Sequence, residues 1–285
     1  MGVVAGEAGV IYAAIGGRYI REAKVSAASV RARLPGYRIV LFCDSAPANA
    51  GPFDEIRVIT PRTAAPHLDK LLAMKESPFE RTLFLDVDTF LCDSPDGLFD
   101  LLDRFDIAMA HDPRYGEPYP EGTGVPPSFP EFNQGVVLFR RSVEMAAALQ
   151  SALDWAHQSG RWDDQVALRI ALYHSDLRIA PLPPEYNCRF GSFGYLSRPA
   201  IILHGRIPTR VNRTENLRRA ARLINREAIP RVLVGGRIYA LRRWHLRQFD
   251  HFLVRRTATL FHPVAEIIRR GLRGLRRAIF SRKEE

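Results

Sequence analysis

Residues 82–89 read TLFLDVDT. Four residues suited to a buried strand, Thr82 to Leu85, run straight into Asp86 and Asp88. A short unbroken apolar run is the pattern of a strand covered on both faces, as in a parallel sheet. Charge at the exit of such a strand is costly without a partner. In open α/β sheets, ligands bind beyond the carboxyl ends of the strands. Residues two apart on an extended chain point the same way. Asp86 and Asp88 are therefore expected to offer hard oxygen ligands together to Mg2+ or Mn2+. An exposed acidic turn after a strand would carry the same tripeptide, so its surroundings must decide.

Working outward, apolar runs at 10–15, 38–43 and 54–59 read as strands. Residues 19–33 place Ile20, Ala23, Ala27, Val30 and Leu34 on one helical face, and Pro35-Gly36 ends it. A second helix is expected over 68–76, stopped by Pro78. Beyond the acid pair come a strand at 106–110, a proline-rich loop over 112–132, and a strand at 135–139. Helices at 142–157 and 163–172, an extended connector at 180–184 and a last strand at 200–203 follow. A loop as long as 112–132 inside a compact domain is the kind that forms a lid or binding loop. Alternating strands and helices imply the α/β class, with a mixed, mainly parallel sheet flanked by helices.

Four segments in order carry a family resemblance. LDKLLAMKESPFERTLFLDVDTFLCDSPDGLF (68–99), Phe132-Asn133-Gln134-Gly135-Val136, Asp164-Gln165 and His204-Gly205 resemble motifs of the GT-A glycosyltransferases of family 8. That is the type of glycogenin and the lipopolysaccharide galactosyltransferases. The resemblance covers roughly residues 10–210 and implies a GT-A, Rossmann-like fold. It implies a nucleoside-diphosphate sugar as donor, a uridine diphosphate sugar above all, and transfer of a hexosyl group with retention of configuration. Asp86, Asp88 and His204 would hold the metal. Lys70 would contact the donor diphosphate or sugar. Asn133, Asp164 and Gln165 would line the sugar pocket. Ala14, Ile15, Gly16 and Tyr19 would hold the base and ribose, with Val87 giving backbone contacts. The chain departs from the family pattern at Gln134, where a Ser is usual, and at His204-Gly205, which lacks an intervening residue. The family's following Lys is absent, and Arg206 or Arg210 stands in its neighbourhood. Ile15-Gly16-Gly17 replaces a Thr/Asn-rich turn.

Each residue also has a plainer reading. His204 could end a strand, Asn133 could sit in a turn, Lys70 could be a solvated helix charge, and Tyr19 could pack in the core. Asp163 and Asp164 open the run DDQVALRIAL; one can cap the helix while the other, expected to be Asp164, faces the pocket. The segment Leu85-Asp86-Val87-Asp88-Thr89 also matches the D-x-D-x-T of haloacid-dehalogenase-type phosphatases, in which Asp86 would be the nucleophile.

The net charge of +10 is unevenly placed: residues 1–210 hold 22 Lys and Arg against 25 Asp and Glu, and residues 211–285 hold 19 against 6. A transferase domain over 1–210 and a basic amphipathic helical tail over 211–285 are expected. Leu260, Val264, Ile267, Ile268, Leu272 and Leu275 recur at helical spacing among arginines, as in helices that lie on anionic membranes. A non-enzymatic adaptor built on that tail would leave the four ordered motifs unexplained, and nucleic acid is the weaker partner because its aromatics form no stacking pattern. Three scattered cysteines and the lack of a basic leader point to the cytoplasm, with peripheral association at the inner membrane face. The acceptor is expected to be a saccharide, lipid-linked or other hydroxyl.

Overall fold

In the computed structural model, the residues described are 7–59, 67–112, 122–161, 163–206, 214–226 and 230–240. The first half builds β1 (Ala8–Ala14), α1 (Gly17–Arg33), β2 (Arg38–Cys43), β3 (Glu55–Val58), α2 (Asp69–Lys75) and β4 (Arg81–Leu85). A short β5 (Thr89–Leu91) precedes β6 (Ile107–His111) and the long β7 (Phe132–Arg140). Then come α3 (Val143–Ser159), α4 (Asp164–Tyr173) and β8 (Ile179–Leu182).

Seven of these strands form one sheet in the order β3-β2-β1-β4-β7-β6-β8. β3, β2, β1 and β4 run parallel. β7 is antiparallel to both its neighbours, and β8 is parallel to β6. The sheet is thus mixed and mainly parallel, as expected. Alternate residues of β1 separate two cores. Val10 and Tyr12 pack with Ala23, Ala27 and Val30 of α1. Ile11 packs on the other face with Leu71 and Met74 of α2, Leu149 of α3 and Leu168 of α4. This burial on both faces explains why β2 and β4 read as continuous apolar runs.

Two expectations change. The connector at 180–184 is largely strand β8. Pro181 hid it, and a proline is tolerated there because β8 lies at the sheet's edge, where a missing N–H breaks no ladder. The strand expected at 200–203 is β10 (Ile202–His204), which leaves the large sheet and pairs antiparallel with β5. In that pairing His204 faces Thr89 and Leu203 faces Phe90.

A third core lies outside the main sheet. β9 (Gly194–Leu196), α5 (Thr214–Ile224), β11 (Arg231–Val234) and β12 (Arg237–Ala240) complete the described elements, with β9, β11 and β12 in one small sheet. Phe90, Cys188 and Leu203 are buried with Leu217 and Ile224 of α5 and Leu233 of β11. Beyond 210 the described chain is therefore one helix and a hairpin rather than helix throughout, and the first compact unit reaches Tyr239. The basic helical pattern at 260–279 lies outside the described residues. Among the described residues, no helix is long and apolar enough to cross a membrane, and Cys43, Cys92 and Cys188 are free thiols.

Candidate active site

β1 leads outward to β2 on one side of the sheet and β4 lies on its other side, so the loops after β1 and β4 flank a crevice where the strand order reverses. Ala14 is buried at the end of β1, and Ile15 and Gly16 follow. Gly16 takes φ 97°, a conformation that favours glycine, and its N–H donates to Asp44 Oδ1 at 2.9 Å. Across the crevice, the Asp86 N–H donates to the Gly135 carbonyl at 2.8 Å. Thr89 N–H and Thr89 Oγ1 both donate to the Asp86 carbonyl, at 3.1 and 2.8 Å. These bonds fold 86–89 into a turn. Asp86 and Asp88 therefore converge through a turn, with Val87 buried within it, and not through the extended spacing expected from sequence.

The same turn starts β5, and β5 brings in β10 and His204. One ligand atom each from Asp86, Asp88 and His204 lies within 4.8 Å of the others. His204 Nε2 is 3.6 Å from both Asp86 Oδ2 and Asp88 Oδ1. Its ring roles follow from a chain of hydrogen bonds. The Gly135 N–H donates to Asn133 Oδ1 at 3.0 Å, so that atom is an acceptor. Asn187 Nδ2 donates to the same oxygen at 2.9 Å, which leaves Asn187 Oδ1 facing His204 Nδ1 at 2.8 Å. Nδ1 then donates to Asn187, which leaves Nε2 as the ring nitrogen that faces the two acids. Gly135 is needed for this arrangement: a Cβ there would fall 2.0 Å from His204 Cε1. The donor set, two carboxylates and an imidazole nitrogen held in place through Asn187, suits a divalent ion such as Mn2+ or Mg2+.

Two cations already balance the acids. Lys70 Nζ is 3.0 Å from Asp86 Oδ1 and 3.3 Å from Asp164 Oδ2. Burial works against the Lys70 charge, but Asp86 and Asp164 outweigh it and hold its pKa above the usual lysine range. Burial also pushes the Asp86 carboxyl up, yet Lys70 and then His204 hold it well below the usual carboxylate range. Asp164 is raised: burial dominates, Lys70 only partly offsets it, and Asp86 adds to it. Arg206 lies 3.3 Å from Asp88 Oδ2 and 3.0 Å from Oε2 of the buried Glu22. Its guanidinium also sits over Tyr19, 5.6 Å from the ring centroid. Tyr19 is 41 % exposed, so it is not a core residue.

The remaining expected residues cluster at the start of α4. Asp163 caps that helix, accepting from Gln165 N and Val166 N, and Asp164 turns inward. Asn133 is on β7, not in a turn. Its Nδ2 donates to Asp112 Oδ2 at 3.2 Å and to Gln165 Oε1 at 3.3 Å. Gln134 Nε2 donates to the Asp164 carbonyl at 2.6 Å. Gln134 Oε1 is buried and has no hydrogen-bond partner among the described residues. Both side chains are aimed by an irregularity in β7, whose register to β6 jumps between Met109–Val137 and Ala110–Asn133.

Four polar residues here were not singled out from sequence. Asp112, at the end of β6, accepts from Arg189 Nη1 at 2.6 Å. Glu131 accepts from Gln165, and Asn187 supports His204. Asp112 repeats the signal of Asp86, an acid at the exit of an apolar strand, and could have been found by it. Asn187 and Arg189 follow a proline run and carry no such signal.

No protein-family model matches the sequence, and no curated protein matches it. Solved structures do. The galactosyltransferase LgtC, solved in complex with donor and acceptor sugar analogues, is 18% identical, with 75% of this chain and 95% of that one covered and a TM-score of 0.54. The apo form of the glycosyltransferase GlyE from Streptococcus pneumoniae TIGR4 is 16% identical, with 78% of this chain and 61% of that one covered and a TM-score of 0.54. At these identities the likeness is one of fold: the chain has the GT-A architecture of these glycosyltransferases.

Proposed function

We propose that the chain is a glycosyltransferase that moves a hexosyl group from a nucleoside-diphosphate sugar to an acceptor hydroxyl, using a divalent ion held by Asp86, Asp88 and His204. The observation that carries this reading is the convergence of those three side chains at the carboxyl end of β4 in a GT-A fold, with Nε2 of His204 facing both carboxylates. Mn2+ or Mg2+ is the ion and a uridine diphosphate sugar the donor that the donor set and the sequence resemblance favour. When bound, such an ion neutralises the diphosphate and makes it a better leaving group.

The chain's own groups divide the remaining work. Ala14, Ile15, Gly16 and Tyr19 on one wall of the crevice, and Val87 on the other, receive the base and ribose. The Lys70 ammonium adds positive charge beside the departing phosphate. Asn133 and Gln165, already ordered through Asp112 and Glu131, orient sugar hydroxyls. Asp164 is the carboxylate offered to the reacting face. Retention follows from the resemblance and has two routes, a covalent intermediate on Asp164 or same-face attack assisted by the leaving phosphate. LgtC was solved with both a donor and an acceptor sugar analogue, which supports a saccharide acceptor, free or lipid-linked. The basic sequence beyond the described residues suits an anionic membrane at the inner face.

Hydrolysis of uridine diphosphate glucose and galactose, with and without Mn2+, tests the reading. Asp88→Asn is expected to lower the metal-dependent rate by roughly 100-fold or more. Full activity in Asp88→Asn with its metal dependence intact would refute it.

A further inference from the structure

A cavity lies beside the proposed metal centre and shares Asn187 with it. It holds about 210 Å³. Leu182 of β8, Leu196 of β9 and Leu233 of β11 contribute apolar wall. Phe193 and Tyr195 flank it with rings that are 54 % and 46 % exposed. Large aromatic side chains left this open beside a concave site are unusual unless something covers them. The polar members of the lining are His111, Asn187 and Arg189.

Those polar members tie the cavity to the chemistry. Asn187 lines it and also accepts from His204 Nδ1 at 2.8 Å. Arg189 lines it and donates to Asp112 Oδ2 at 2.6 Å, and Asp112 accepts in turn from Asn133. Through Asn187, one wall of the cavity is thus a single hydrogen bond from both the metal-site histidine and Asn133 of the donor pocket. Its volume is below the roughly 300–1,000 Å³ that hold drug-sized ligands, a scale that matches one sugar ring within the cavity itself. A pyranose suits this lining. Its C–H face lies on an aromatic or apolar surface, and its hydroxyls need donors and acceptors on the other side.

We propose that this cavity binds the acceptor as a single pyranose ring, stacked against Phe193 and Tyr195, with its accepting hydroxyl at the Asn187–Arg189 end. This rests on the glycosyltransferase reading and adds to it the class and place of the second substrate. In the reaction, the acceptor oxygen forms the new bond to the anomeric carbon. The bond from that carbon to the diphosphate oxygen breaks, its electron pair leaves on the nucleoside diphosphate, and the hydroxyl proton passes to that diphosphate.

Binding of methyl β-glucoside, methyl β-galactoside and cyclohexanol to the full chain, followed by saturation-transfer NMR without donor, tests the assignment. At least one glycoside is expected to bind more tightly than cyclohexanol, and Gly194→Leu is expected to abolish that binding. A Cβ at Gly194 meets only Leu233 atoms at 3.8 and 3.9 Å, so the larger side chain fills the cavity without displacing backbone. Tyr195→Ala, at an exposed position, is expected to weaken binding about tenfold, in line with the loss of one ring contact, and serves if Gly194→Leu does not fold. Cyclohexanol binding as well as the glycosides, or glycoside binding unchanged in both variants, overturns the proposal. Donor hydrolysis by the wild type separates the two readings. A chain that hydrolyses donor but binds neither glycoside loses the cavity assignment alone. A chain that binds glycosides but neither binds nor cleaves a sugar nucleotide loses the transferase reading, and the cavity's role as its acceptor site goes with it.

Discussion

At the scale of single residues, the proposed metal centre would depend as much on its supports as on its ligands. Asn187 fixes which nitrogen of His204 carries the proton, and Gly135 clears the space the ring occupies. Support of this kind commonly changes metal affinity by about 10–100-fold when it is removed. Asn187→Leu is expected to weaken Mn2+ binding by that factor, measured by electron paramagnetic resonance of the free ion, with thermal unfolding as a check that the fold survives. Mn2+ affinity equal to the wild type would remove the tautomer argument. The sequence made Asp86 and Asp88 legible because carboxylates at the end of an apolar strand are costly and therefore informative. It could not reveal Asn187, an uncharged residue 17 positions from the histidine it holds. Nor could it separate Tyr19 in the core from Tyr19 at the surface, since that choice depends on Arg206, which arrives from the far end of the domain.

At the scale of elements, β2 and β4 were legible because parallel strands buried on both faces give unbroken apolar runs. β5 and β9 were obscured by length: three residues each give no period to read. β8 was concealed by Pro181, a residue whose permission to be there is a property of the sheet's edge and not of the local sequence. The same corner of the sheet has an electrostatic tie. Asp106, just before β6, accepts from the Arg178 N–H and guanidinium at 2.9 Å and from Arg140 at 3.0 Å. It thereby joins the start of β6 to the start of β8 and the end of β7. Bonding to Arg178 outweighs burial and holds the Asp106 carboxyl well below the usual range. Its folded pKa is below its unfolded one, so the stabilisation is complete at neutral pH and is lost as pH falls through the folded value. Asp106→Asn is expected to lower stability by about 1–2 kcal/mol near neutrality. The gap to the wild type should narrow under strong acid. Urea unfolding across that pH range checks both, and a gap that widens on acidification would contradict the assignment.

At the scale of the whole molecule, the first compact unit runs past the change in charge near residue 210 and reaches Tyr239. Leu217, Ile224 and Leu233 come from the basic part of the sequence and are buried with Phe90, Cys188 and Leu203. A chain ending at 210 exposes that core, whereas one ending at Tyr239 keeps it. The shorter chain is expected to lose several degrees or more of thermal stability, at roughly 1.5–3 kcal/mol for each large apolar side chain removed from its packing. The chain ending at Tyr239 is expected to unfold near the wild-type temperature, and equal melting of the two would refute the role of this third core. The same pair, sedimented with anionic vesicles beside the full chain, separates any membrane affinity of residues 240–285 from that of α5 and the hairpin. Charge composition was a poor guide here because arginine stems can cover apolar surface while their heads stay in water. One strand has a consequence for the fidelity of folding. β7 carries Asn133, the carbonyl that receives the Asp86 N–H, and the gap that admits His204. Moving a strand by one residue sends every side chain to the opposite face. A misregistered β7 would thus lose the proposed donor pocket, turn anchor and histidine berth in the same step. Half-correct chains would have no partial function to show, and catalytic titre in a preparation would count correctly threaded molecules.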